Sequence, residues 1–389
     1  MSISRRKFFT HLGAGAMAGA AAPALRAFPL PPAMELALWA NSAPAASDEA
    51  GGGEPILLYR NENPYGPSEK VLKVLRDSAS AGNRYPRTEY DTLTDKLAAL
   101  HRVKREQIVI GCGSGEILCM AAMAFLGQGK KLVFPVPTFP SLGNLAKASG
   151  TEVAQVPLGK HYEHDLDAML AHCDASTNLV YICNPNNPTG SITPRKDLEQ
   201  FMTKLPSGTF VLVDEAYHHF ASPDSGYDSF LDHPFPNSHL IVARTFSKIY
   251  GLAGMRIGYA VASSPELAKR LAAGFPAWSV SVVTARAASA AMDDVEYARL
   301  GVKRNSDDRE EFMKQAATRK LFVIPSQTNF VMLDPQRPPD EVIAHLKKHN
   351  ILIGPKYPVL DKYVRVSLGK PEEMKIFWQA WDQLPQRAV

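Results

Sequence analysis

The sequence predicts an α/β chain: a large domain with a mostly parallel seven-stranded sheet flanked by helices, followed by a smaller α+β domain. Three observations predict it. From Pro55 to about residue 275, short β-branched runs alternate with helical patterns, the signature of parallel strands joined by crossover helices. After Pro276 the texture changes to long helical segments and then to short apolar runs interleaved with helices. Finally, 389 residues of which 45% are apolar suffice for two or three domain-sized cores.

The first residues read SRRKFFT, after which Leu12 to Leu25 run fourteen positions without a charge, mostly Ala and Gly. A basic segment followed by a mildly apolar one resembles a twin-arginine export signal, so residues 1–27 read as a signal region and the chain as periplasmic or otherwise exported by that machinery. A basic tail before an Ala-rich helix is the alternative. ALRA at 24–27 and Ala43-Pro44-Ala45 are both small-residue candidates for cleavage. Residues 28–54, small, polar and Gly-rich toward their end, read as a flexible linker. Residues 55–84 read as an N-terminal arm contributing to the small domain. The large domain then spans 85–275 and the small C-terminal domain 276–389.

Strand candidates in the large domain are 107–111, 131–135, 152–157, 178–183, 209–216, 239–244 and 257–263. Helical stretches such as 116–126 and 195–204 lie between them. In the small domain the runs are KLFVIPS, NFVMLD, ILIG and YVRVSLG. A net charge of +4, about +3 of it beyond residue 50, gives little basis for nucleic-acid binding. Outside the N-terminal segment nothing approaches the roughly 18–20 apolar residues of a membrane span. Four cysteines are too few for a disulfide scaffold and lack metal-ligand spacing.

Chemistry-bearing residues fall just past the strand candidates. RTFSKIYGLAGMRIGY places Lys248 beyond a strand, with Thr245 and Ser247 before it and Arg256 eight residues after. Two hydroxyls and a guanidinium around one lysine suit a phosphate dianion held beside a reactive amine. GCGSGE follows a strand and opens a helix, so the amides of Ser114, Gly115 and Glu116 can cradle a phosphate, although a glycine cluster alone is also an ordinary turn. Asp214 ends the apolar run VLVDEAYHHF, where a dry carboxylate needs a cationic partner such as a protonated pyridine nitrogen. In CNPNNPTG, Asn187 sits in a turn from which its amide can donate to a phenolate oxygen.

In the order GSGE, NNPTG, DEAY, SK and R, these segments resemble the fold-type I pyridoxal-phosphate aminotransferases of class I/II, whose fold is that of aspartate aminotransferase. The resemblance covers about residues 55–389. It implies pyridoxal 5'-phosphate as cofactor and Lys248 as the Schiff-base lysine and later proton shuttle. Asp214 would pair with the pyridinium, and Tyr217 and Asn187 would bond the cofactor O3′. Ser114, Gly115, Thr245, Ser247 and Arg256 would hold its phosphate, and Phe139 in VPTFPS would cover the ring. The reaction implied is transfer of an amino group to a 2-oxo acid by a ping-pong cycle.

LLYRNENPYGPS at 57–68 and NRYPRTEYDTL resemble the histidinol-phosphate aminotransferase branch and its relatives, the threonine-phosphate decarboxylases. In that branch Tyr85 would reach the cofactor phosphate of a partner subunit, which makes the protein a homodimer with shared sites. A surface loop with an aromatic anchor is the plainer alternative. Arg365 in YVRVSLG matches the arginine that binds the substrate carboxylate or phosphate, an anion that guanidinium grips in bidentate fashion. Histidinol-phosphate enzymes usually carry a second arginine after the ILI strand, where this chain has Gly354; Lys356 is then the available substitute as a substrate-binding point charge.

Decarboxylation of a phosphorylated amino acid with the same cofactor is the rival chemistry, and a non-catalytic exported binding protein is the rival from another class. An intact Lys248 argues against the latter. His218 and His219, adjacent and so on opposite faces of a strand, and without further converging ligands, read as structural or as lining the entrance and not as a metal pair. His161 and His164 read as solvated loop residues, and Cys112 as a small filler.

Overall fold

The computed structural model describes residues 54–385. The twin-arginine segment and almost all of the expected linker lie outside the described residues.

Each of the seven strand candidates of the large domain forms a strand: β2 (Ile108–Gly111), β3 (Lys131–Val136), β4 (Glu152–Pro157), β5 (Thr177–Cys183), β6 (Phe210–Asp214), β7 (Leu240–Thr245) and β8 (Gly258–Ala262). They form one sheet in the order β2-β8-β7-β6-β5-β3-β4. β4, β3, β5, β6 and β7 run parallel, and β8 is antiparallel to both β7 and β2. Side chains alternate across the pleat. Val180, Ile182, Val211, Val213 and Val242 enter the core on one face, and Leu179, Tyr181, Leu212, Ile241 and Ala243 enter the core on the other. Burial on both faces is why these strands read as continuous apolar runs.

Helices cover both faces. On the first lie α1 (Glu69–Ser78), whose N-cap Ser68 accepts from the Val71 amide, and α2 (Arg87–His101). α3 (Ser114–Phe125), α4 (Ser141–Ala148) and α7 (Pro265–Leu271) pack on the second face, while α5 (Leu166–Ala171) and α6 (Arg195–Lys204) return to the first. α8 (Val282–Asp293) buries Ala287, Ala288 and Ala291 in the same cluster as Val71, Leu93 and Leu97. The large-domain packing therefore runs past the expected boundary at 275, to the end of α8.

The 24-residue α9 (Val295–Thr318) then leads to the small domain, where Phe312 and Ala316 enter a third core. There β9 (Phe322–Val323), β10 (Phe330–Asp334) and β12 (Val364–Ser367) form an antiparallel sheet in the order β12-β10-β9. α10 (Pro339–Lys348) and α11 (Pro371–Trp381) pack on the same core through Val342, Leu346, Phe377 and Trp381. One strand has no counterpart in the sequence reading: β1 (Ile56–Leu58) pairs in parallel with β11 (Ile351–Ile353). It carries Leu58 into the small-domain core and ties the N-terminal arm there.

Candidate active site

The C-terminal ends of β5, β6 and β7 converge, as parallel α/β sheets place their ligand sites. Asp214 is the last residue of β6, with Cys183 and Ala243 in register on either side. It is 3% exposed. Its oxygens accept from the Tyr181 hydroxyl at 3.1 Å and the Ala216 amide at 3.2 Å, and no cation pairs with it among the described residues. Burial raises its pKa to about 6 against those two hydrogen bonds. A buried carboxylate in this state lacks the positive partner that a protonated ring nitrogen provides.

Lys248 follows β7, and its Nζ donates to the carbonyls of Asn61 (2.9 Å) and Arg60 (3.3 Å). Desolvation first, and then the charge of Arg365, lowers its pKa to about 8, which puts an appreciable neutral amine fraction within reach of physiological pH. Tyr217, buried after β6, accepts at Oη from Asn61 Nδ2 (3.1 Å) and more loosely from Asn187 Nδ2 (3.5 Å). The Lys248 ammonium stands 5.4 Å from the Tyr217 ring centroid.

Asn187 is also the link to the small domain. Its Oδ1 accepts from Arg365 Nη1 at 2.8 Å, while Arg365 Nη2 donates to the Tyr59 carbonyl at 2.7 Å. Arg365 lies on β12 opposite Met332, and its Nε is buried with no acceptor among the described residues. An idle guanidinium donor in a buried site is costly unless an anion arrives to take it. Gly354 packs against this residue: a Cβ there would approach the Arg365 carbonyl at 2.9 Å and its own Cβ at 3.0 Å. Any side chain at 354 would therefore displace the strand carrying Arg365.

An anion cradle lies at the start of α3. Gly113, the N-cap at φ +79°, lets the Arg256 guanidinium lie against the helix end, where a Cβ would collide with its Nη2. The amides of Ser114 and Gly115, first in the helix, have no intrahelical acceptor. Glu116 departs from expectation: its amide donates to Gly113 O at 3.1 Å, and its carboxylate turns back to the Cys112 amide and the Ser279 hydroxyl. The turn itself consumes that amide, which leaves two of the expected three open. Thr245 Oγ1 donates to Ser247 Oγ at 2.9 Å and accepts from the Ser247 amide, fixing both hydroxyls beside Lys248. An unpaired buried carboxylate, a tyrosine oxygen held by two amides and this cradle fit a pyridine ring bearing a phenolic oxygen and a phosphate.

Phe139 is half-buried after β3, packed against the core of the second sheet face. Tyr85 is 85% exposed, its ring 6.2 Å from that of Trp278. Lys356 is exposed and pairs with Asp340 at 3.0 Å, so the point charge expected beside Arg365 is engaged at the surface. His164 is buried and hydrogen-bonded to Thr193 Oγ1 at 2.7 Å, contrary to a solvated loop residue. His218 and His219 sit on a 3-10 turn with ring centroids 3.6 Å apart, not on opposite faces of a strand. Burial and Arg244 hold both well below the usual imidazole range, hence neutral.

Asn61 is the residue that sequence reasoning missed. At φ +54° and 1% exposed, it donates to Tyr217 through its amide and to Ser367 Oγ through its backbone N–H, while its carbonyl receives Lys248 and Asn329. Its place in RNENPYG was the available signal, but the partners come from residues 217, 248, 329 and 367.

The sequence profile of the family described as Aminotransferase class I and II matches residues 54–380. A histidinol-phosphate aminotransferase of Staphylococcus carnosus is 38% identical over 317 residues, 81% of this chain and 87% of that protein. The histidinol-phosphate aminotransferase of Sinorhizobium meliloti, solved in complex with pyridoxal-5'-phosphate, superposes with a TM-score of 0.79 at 28% identity, covering 85% of this chain and 91% of that one. Aspartate aminotransferase from Thermus thermophilus shares the fold with a TM-score of 0.73 at 18% identity over 85% and 92% of the two chains. The chain belongs to the class I and II aminotransferases and is a pyridoxal-phosphate-dependent enzyme of transamination with the fold of aspartate aminotransferase.

Proposed function

We propose that the cluster around Lys248 is the catalytic site and that the amino donor carries an anion beside the reacting amine, with histidinol phosphate the compound to test first. The observation that carries this reading is Arg365, buried in the site with Nη1 and Nη2 engaged and Nε idle. Bound pyridoxal phosphate supplies an electron-withdrawing ring that stabilises negative charge at the substrate carbon. The chain does the rest. Lys248 would hold the cofactor through its amine and would carry the proton at the substrate carbon, a task suited to a pKa lowered to about 8. Asp214 holds the ring proton, Tyr217 and Asn187 hold the phenolic oxygen, and Phe139 walls the ring. Ser114, Gly115, Thr245, Ser247 and Arg256 hold the phosphate. Asn187 joins the two ends of the site, because one amide faces both Tyr217 and Arg365.

The test is a half-reaction. Mixing holoenzyme with histidinol phosphate or an amino acid should remove the visible absorbance of the lysine-bound cofactor, and a 2-oxo acid should restore it. No half-reaction with any donor overturns the reading, and carbon dioxide release without a 2-oxo acid marks decarboxylation instead.

Two further parts of the reading rest on sequence. The enzyme is a homodimer whose Tyr85 serves the partner's site, supported by the exposure of Tyr85 in a single chain. It is exported already loaded, supported by SRRKFFT and by four cysteines that form no disulfide. Replacing Arg5 and Arg6 with lysine should leave the protein in the cytoplasm when fractions are assayed; an unchanged distribution removes the export reading.

A further inference from the structure

Tyr217 keeps one hydrogen of its own and receives two others. Its Oη accepts from Asn61 Nδ2 at 3.1 Å and from Asn187 Nδ2 at 3.5 Å, and its own hydrogen meets no acceptor among the described residues. Burial holds the phenol well above its ordinary range, so the hydroxyl stays protonated. A hydroxyl oxygen offers two acceptor sites and one hydrogen. With both acceptor sites taken by amides, the hydrogen is left for whatever enters the site. That outcome requires each amide to present its nitrogen. A reversed amide would present Oδ1 and take the hydrogen itself.

Strand β12 orients both amides. Arg365 and Ser367 stand two positions apart on it, so their side chains leave the same face. Arg365 has only donors, and its Nη1 gives to Asn187 Oδ1 at 2.8 Å, so the nitrogen of that amide is the end turned to Tyr217. Ser367 does the same for Asn61. Its Oγ accepts the Asn61 main-chain N–H at 2.8 Å and donates to Asn61 Oδ1 at 3.0 Å. With the Asn61 amide reversed, Oγ would accept twice from Asn61, and the hydroxyl hydrogen of a side chain only 2% exposed would have no acceptor among the described residues. An idle buried donor of this kind disfavours the reversed amide about tenfold. The main chain of Asn61 is itself held, because its carbonyl accepts from Lys248 Nζ and Asn329 Nδ2. Only the side-chain amide is left to turn.

We infer that Ser367 is a positioning residue: through the orientation of the Asn61 amide, it reserves the Tyr217 hydrogen for the phenolic oxygen of the cofactor. The inference rests on the proposed catalytic site, in which Tyr217 holds that oxygen. Ser367 acts through Asn61, the one residue that its hydroxyl bonds among the described residues.

The test is a pH titration of the holoenzyme without substrate, read from the visible absorbance of the lysine-bound cofactor. A hydrogen donated to the phenolic oxygen stabilises its negative charge and loosens the proton that the lysine nitrogen shares with it, so losing the donor raises the pH midpoint. Tyr217→Phe removes the donor outright and should raise the midpoint by about one unit or more, and Ser367→Ala should raise it by about half a unit. In the Tyr217→Phe background, Ser367→Ala should add nothing, since no hydrogen remains to be oriented. A general loosening of the fold would instead move the midpoint equally in both backgrounds. A Ser367→Ala midpoint unmoved beyond the scatter of the titration, or the same rise in both backgrounds, overturns the inference and leaves the catalytic site standing. A Tyr217→Phe midpoint equal to that of wild type overturns the role proposed for Tyr217 and the inference with it.

Discussion

Asp214 sits where its own charge is unwelcome. Its folded pKa, raised from 3.8 to about 6, means that the folded chain binds this proton more tightly than the unfolded chain does. Without cofactor, the group therefore costs stability as pH rises past 4, fully so above about 6, where the cost approaches roughly 3 kcal/mol. Asp214→Asn should make the apoprotein melt higher than wild type at pH 8, with the difference fading toward pH 4 in thermal scans. The same variant should bind pyridoxal phosphate far more weakly in equilibrium dialysis. A residue that impairs the empty fold and serves the filled site is a mark of function. Its neighbour Glu215 is the contrast: fully buried, it accepts from Arg244, Ser229 and the Phe230 amide, and so has no vacancy to fill. The sequence DEA puts the two acids side by side and says nothing of which one is satisfied.

At the scale of elements, the cradle depends on the backbone of one glycine. Gly113 holds φ +79° at the N-cap of α3 and lets Arg256 approach the helix end. Alanine there takes a backbone conformation, φ +79° and ψ 163°, that is essentially glycine-only and costs about 1–3 kcal/mol, and it also pushes Arg256 aside. Gly113→Ala should weaken retention of the cofactor by about tenfold or more, with a modest drop in melting temperature, seen by dialysis and thermal scans. The central strands of the large sheet were legible because both of its faces are buried there, so each wrote a continuous apolar run, whereas the edge strand β4, EVAQVP, buries only Val156. β6 ended two residues short of the run read from the sequence, since Glu215 and Ala216 already belong to the turn that presents Tyr217. β1 escaped notice because three residues, ILL, carry no periodicity of their own and become a strand only by pairing with residues 351–353.

For the whole molecule, the exposed pair Tyr85 and Trp278 bears on how active sites are divided between subunits. If Tyr85 serves its partner's site, Lys248→Ala and Tyr85→Ala chains, each poorly active alone, should regain activity when dissociated and reassembled together. In such a mixed dimer one site receives an intact Lys248 from one chain and an intact Tyr85 from the other. Absence of complementation would place Tyr85 outside the partner's site.

The sequence by itself placed the seven strands of a layered α/β architecture and singled out Lys248, Asp214, Asn187, Tyr217, Arg256 and Arg365. Strand periodicity and residues that follow strand ends are local properties, written within a few positions of one another. Tertiary structure alone decided which of these groups are already satisfied. Glu116 spends its amide inside its own turn, Lys356 is drawn to Asp340, and Asn61 joins four distant segments. Whether a donor, acceptor or charge is left idle depends on partners up to some three hundred residues away, and those meet only when the β1 arm, the large sheet and β12 pack together.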